Sequence, residues 1–199
     1  MVRVARIVKS NSHVDYIGRV IDRLDAGEPP GPDDYGFAQF VSLPLDEEQD
    51  VIGVIYNSLL ANPEYGNYGP RLSPPSDLSV LSPDYLNEQG LLIGILLLGW
   101  RDAAKQRFHH AVPRRVIPVN QDVYRLPYED IQGFHKDSDG RIQLHYYSQV
   151  VAHAGPFGVP LIEAIIEQLE PACAPEERQR LCVLKQTLVW QRTVGQMRL

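Results

Sequence analysis

The chain has 199 residues, 44% apolar and 22% charged, an ordinary globular make-up with room for one full core and an appendage. Its formal net charge of −6 excludes nucleic-acid binding by bulk electrostatics and leaves that role only to local basic segments. The opening MVRVARIVKS mixes charge among its apolar residues, so it is no secretory signal, and Cys173 and Cys182 are too few for a disulfide framework or a four-cysteine metal site. They read as thiols in a reducing cytoplasm.

Residues 2–8 open as a strand, and Asn11, Ser12 and His13 give a turn. Residues 16–21 form a strand containing Ile17-Gly18. Pro29, Pro30, Gly31 and Pro32 rule out regular structure over 22–34. Strand character returns over 35–41 through Phe37, Phe40 and Val41. An acidic turn over 46–50 leads to a second Ile-Gly strand at 51–56, around Ile52-Gly53. The stretch 57–89 holds five prolines and three tyrosines, Tyr65, Tyr68 and Tyr85, and reads as a long insert. Its tyrosines either make a partner surface or lie back on the barrel.

Residues 91–100, LLIGILLLGW, are the most apolar run. A spanning helix needs roughly 20 apolar residues, so this run does not cross a bilayer. It reads as a strand covered on both faces. A buried helix segment is the rival, but Gly94 and Gly99 count against it. It also contains the third Ile-Gly pair, Ile93-Gly94. Glycine inside a strand marks a bulge, a bend or a close backbone approach, and three such strands predict a small, closed, strongly curved sheet.

The segment 101–115 carries Arg101, Lys105, Arg107, Arg114 and Arg115 against one acidic residue, Asp102. Over 22–50 the balance is opposite, with nine acidic residues against Arg23. One acidic and one basic face are thus expected to join copies head to tail, in an oligomer that dissociates as salt rises and that reversing Arg114 and Arg115 to Glu would break. Short strands are expected at 116–119 and 123–126, and a hairpin over 134–147 turning at Asp137-Ser138-Asp139-Gly140. In that hairpin Ile142, Leu144 and Tyr146 would share one face. Beyond Gly155-Pro156 the period changes to that of helices. Leu161, Ile162, Ile165, Ile166 and Leu169 form one helical stripe, with Pro160 suited to the first turn. A second helix begins at Pro175-Glu176-Glu177, carboxylates at its positive end. It bears two stripes, Leu181-Leu184-Leu188 and Val183-Trp190-Val194, and so should pack against two things. The expected fold is therefore mainly β with C-terminal helices: a small closed β-barrel over 1–154 with the insert 57–89, then a helical hairpin over 155–199.

The order of an opening strand, IGRVI, DYGFAQFVSL, VIGVIY, a long insert and LLIGILLLG resembles the HerA–ATP synthase (HAS) barrel. That barrel stands at the N-terminus of HerA-type DNA-translocating ATPases and of rotary ATP synthase subunits. The likeness covers residues 2–98, reaching toward 126, and rests on apolar strands and glycines. It implies ring assembly and partner docking. The chain departs from a family ATPase in lacking G-x-x-x-x-G-K-[ST], so no catalytic residue carries over. The resemblance thus implies a non-catalytic assembly or adaptor module in the cytoplasm, self-associating and docking a HerA-type ATPase or nuclease in DNA processing, with no cofactor and no metal. Its candidate contact residues are Arg101, Lys105, Arg107, Arg114, Arg115, Tyr65 and Tyr68.

Two other readings stand beside it. A barrel can bind single-stranded nucleic acid through a basic groove with aromatics, here the same basic residues with Tyr124, Tyr146 and Tyr147. Those tyrosines in a shared concave face would favour binding; in the core, assembly. A hydrolase would use His145 with Glu129 and Asp130 as an acid–base set. His109 and His110 are adjacent, face opposite ways on a strand, and do not easily share a metal.

Overall fold

The strand predicted at the centre of the chain is at the centre of the fold. A computed structural model describes residues 1–62, 65, 90–102, 104–137 and 139–196. Seven strands are formed among them: β1 (Arg3–Ser10), β2 (Asp15–Val20), β3 (Phe40–Pro44), β4 (Gln49–Ala61), β5 (Gly90–Asp102), β6 (Arg107–His109) and β7 (Asp122–Arg125). All pairings are antiparallel, in the order β2-β1-β7-β3-β4-β5-β6. A further pairing of β2 with β5 closes six of them into a barrel and leaves β6 as an added strand on the far end of β5. Closure removes most of the free edge that a small sheet would otherwise expose.

β5 closes the barrel because it is long enough to hold two partners on one edge. Its other edge pairs with β4 along the full 13 residues. On the first edge, residues 92–96 take β2 and residues 100–102 take β6. Ile93, Ile95 and Leu97 point into the barrel, among Ile7, Val41, Leu43, Val51, Ile55 and Val123. Leu96 and Leu98 point outward, under a layer of helices. The strand is thus buried on both faces, which is why its sequence does not alternate.

The Ile-Gly glycines sit where the backbone needs room. The β4 register shifts between Ile52 and Gly53, and a Cβ on Gly53 would lie 2.8 Å from the Ile95 side chain. Gly94 faces the second β4 irregularity, between Ile55 and Asn57, and a Cβ there would meet the Tyr56 ring at 3.0 Å.

The helical layer comprises α1 (Tyr128–His135), α2 (Tyr147–His153), α3 (Gly158–Leu169) and α4 (Pro175–Gln196). It shares a core with the outer faces of β3, β4 and β5. The apolar stripe of α3 is buried as its spacing predicted, and Pro160 falls in its first turn. In α4, Leu181 and Leu188 are buried and Leu184 packs beside them, whereas Val183 is exposed and Trp190 is 66% exposed. Among the described side chains it is therefore the leucine stripe that packs within the chain; Val194 lies beyond them. No helix among the described residues is long and apolar enough to cross a membrane.

Three local expectations are corrected. Residues 35–39 are not strand: the chain turns at Ala38, which takes φ 65°, and pairing starts at Phe40. Residues 116–119 form no strand; Ile117 packs with the barrel core, its N–H donating to Tyr16 Oη at 3.2 Å. The 134–147 hairpin is reduced to a single bridge between Lys136 and Ile142, flanked by α1 and α2. Its turn survives, with Gly140 at φ 75° and the Asp137 carboxylate accepting from the backbone of Asp139 and Arg141. The alternation of Ile142, Leu144 and Tyr146 is satisfied by packing on the helical core.

Candidate functional site

The β4–β5–β6 corner gathers much of the basic segment. Trp100 and His109 are cross-strand neighbours on β5 and β6, and their rings stack with centroids 5.0 Å apart and planes 19° from parallel. Trp100, Ala104, Lys105, Arg114 and Arg115, with Glu48, Gln49 and Asp102, line an open groove of about 520 Å³. Lys105 lies 3.4 Å from Asp102, whose carboxylate also accepts from the Lys105 backbone N–H, a bond that holds its pKa below the usual range.

The acidic and basic segments meet within one chain. Asp50 and Arg101 are in register across β4 and β5, and the guanidinium donates to the Asp50 carboxylate through Nε at 3.0 Å and through Nη2. Arg101 also lies 3.6 Å from Asp130 at the start of α1. Arg115 pairs with Asp46, and that hydrogen bond, with backbone N–H groups of Glu48 and Gln49, keeps the Asp46 carboxyl below its ordinary value. Arg107 and Arg114 are exposed and form no ion pair among the described residues. Tyr65 is exposed, and Tyr68 lies outside the described residues.

The tyrosines do not join this groove. Tyr146 is buried and Tyr147 packs against the helical core. Tyr124 lies half-buried on β7, opposite Arg3 and Ser42. The groove also mixes both signs of charge, whereas a polyanion is held by a field of one sign.

The proposed His145 acid–base set is not assembled. Asp130 is engaged by Arg101, and the ring neighbour of exposed His145 is His110, with centroids 5.8 Å apart. A different cluster, invisible in sequence, lies beneath it. His135 is fully buried: its Nδ1–H donates to the Ile131 carbonyl at 2.7 Å, and the Tyr146 hydroxyl donates to its Nε2 at 2.5 Å. Burial pushes His135 down to about 3 and Tyr146 well above its usual value. His110 donates its Nε2–H to the Phe134 carbonyl at 2.7 Å, and burial lowers it to about 4. Phe40 and Phe134 pack on these rings, and Phe108 packs on Phe134 in turn. Among the described residues no group of three or more His, Cys, Asp or Glu is placed to hold a metal.

Leu59 and Leu60, which the sequence suggests as points where the insert docks on the core, are exposed instead and belong to a second surface. β4 outruns β3, whose last ladder pair is Phe40 with Val54 and whose approach ends at the Ile55 N–H to Gln39 carbonyl bond. Residues 57–61 pair with β5 on one side only, and no described strand occupies their other edge. Leu59 is 51% and Leu60 84% exposed there. Alongside runs a cleft of about 280 Å³ lined by aromatics that include Tyr35, Phe37 and Phe157. The Phe37 and Phe157 rings meet edge to face at 6.1 Å. The signal in the sequence was Leu59-Leu60 just after the second Ile-Gly strand.

These features define a closed six-stranded barrel with a helical layer, a mixed-charge aromatic groove and a stretch of β4 edge that no described strand pairs. The chain belongs to the family described as Domain of unknown function (DUF8166), whose model matches residues 1–198. No curated protein matches it in sequence.

Proposed function

We propose that the chain is a non-catalytic assembly or adaptor module of the HAS-barrel kind, which self-associates and docks a HerA-type ATPase or a nuclease in DNA processing. The observation that carries this reading is the outer edge of β4 at residues 57–61, which no described strand pairs, with Leu59 and Leu60 exposed on it. An apolar strand edge with unpaired backbone groups is a template for another strand, and natural monomers blunt such edges with charge, proline or a covering element. Here the aromatic cleft lies beside the edge and offers apolar surface to side chains of an added strand. The HAS-like order of Ile-Gly strands in a barrel, without a phosphate-cradling loop in the sequence, supports an assembly role over catalysis. The burial of Tyr146 and the packing of Tyr147 count against the single-strand-binding reading.

The direct test is to blunt the edge. Leu59→Lys with Leu60→Lys places two charges on exposed positions, where folding is expected to be little affected. The double variant should keep the parent's circular dichroism spectrum and lose self-association in cross-linking. Cross-linking equal to the parent's would remove the edge from the account.

A further inference from the structure

His110 presents a feature that neither its packing nor the proposed assembly role uses. Its Nε2 lies 2.7 Å from the Phe134 carbonyl, an acceptor only, so Nε2 carries the ring proton. Nδ1 is then a bare lone pair, and it is buried without a hydrogen-bond partner among the described residues. An orphaned buried acceptor costs about 1–3 kcal/mol, and such atoms in native folds call for a specific cause, a bound ion among them. A backbone carbonyl on the far nitrogen is also the usual way a metal-binding imidazole is oriented.

We propose that His110 Nδ1 and the imidazole of His145 form an open two-histidine site for a borderline divalent cation, zinc or nickel by preference. With metal–nitrogen bonds of about 2.0–2.1 Å, two rings on one ion have centres about 5 Å apart at a tetrahedral angle and about 6.5 Å apart when opposed. The observed separation is 5.8 Å. His135 and Tyr146 are the other polar rings against His110, and both are committed to each other, His135 through its second nitrogen to Ile131 as well. His145 is exposed whereas His110 Nδ1 is shielded from solvent, so the ion would enter from the His145 side as that ring turns, and solvent would complete its coordination. Imidazole donors suit zinc, copper and nickel and not magnesium or calcium.

The test is a calorimetric titration of the full chain with zinc chloride at pH 7.5. The site predicts one ion per chain and a raised melting temperature when zinc is present. His145→Ala, an exposed position, should leave the metal-free melting curve unchanged and weaken zinc binding at least tenfold. His153→Ala, on the exposed side of α2, should bind like the parent. No saturable binding below about 1 mM, or equal binding by His145→Ala and the parent, overturns the site.

Discussion

Gly99 and His109 pass so closely that a Cβ on Gly99 would lie 2.0 Å from the His109 carbonyl oxygen and 3.0 Å from the Phe134 ring. This contact lets β6 fold back along β5 and brings His109 onto Trp100. Gly99→Ala leaves neither neighbour room to adapt, since one is backbone and the other a fully buried ring. Overpacking of this kind costs about 1–3 kcal/mol, and more where backbone must move. The expected result in urea denaturation is a lower midpoint with an unchanged slope, together with a red-shifted Trp100 emission as β6 is displaced.

The buried imidazoles make the fold acid-sensitive. His135 and His110 are lowered to about 3 and about 4 by burial, whereas in the unfolded chain they titrate near their ordinary 6.5. Below pH 6.5 the unfolded state therefore binds more protons than the folded one, and stability falls as pH falls. The loss begins near pH 6.5, continues to about pH 3–4, and reaches up to about 1.4 kcal/mol per pH unit for each ring. Thermal melts from pH 7.5 to 4.5 should show this slope. His135→Gln should flatten it while lowering stability at pH 7.5 by about 1–3 kcal/mol, since Tyr146 and the Ile131 carbonyl lose their imidazole partner. An acid slope unchanged in His135→Gln would contradict the assignment.

Among its described side chains, helix α4 is held by the stripe of Leu181, Leu184 and Leu188. Leu188→Asp buries an unpaired carboxylate against α3 and should cost several kcal/mol. Trp190→Ala, at a position 66% exposed, should change stability by less than about 0.5 kcal/mol. Chemical denaturation of the two variants side by side reads both effects.

How far the sequence discloses this fold depends on how local the signal is. The Ile-Gly strands were legible because each glycine reports a steric demand at its own position: Gly53 and Gly94 sit at β4–β5 irregularities, and Gly18 faces the β1 irregularity at Ile7. The α3 stripe was legible because its apolar period spans three turns. Helices α1 and α2, with 8 and 7 residues, are too short for a period to emerge, and the extended piece between them mimics a strand. The opposed charge blocks were visible, but their meeting within one chain depends on the β4–β5 register that sets Asp50 against Arg101. The His110–His145 and His135–Tyr146 contacts join residues from different elements, and no spacing rule anticipates them.

That register also changes what salt should do. If subunits met through unlike charges, screening would part them, its reach falling to about 3 Å at 1 M. Asp46 and Asp50 are already paired with Arg115 and Arg101, so the association proposed at the β4 edge would rest on backbone pairing and apolar burial. Arg114→Glu, at an exposed residue with no ion pair among those described, should leave the oligomer intact.

The mass of the chain in solution, measured by light scattering at 50 mM and 500 mM salt with and without a single-stranded DNA, tests the assembly claim most directly. The account predicts an oligomer at both salt concentrations whose mass DNA does not change. A monomer at low salt that gains mass on adding DNA, and loses that gain at 500 mM salt, would contradict it and make the groove around Trp100 a phosphate-reading surface instead.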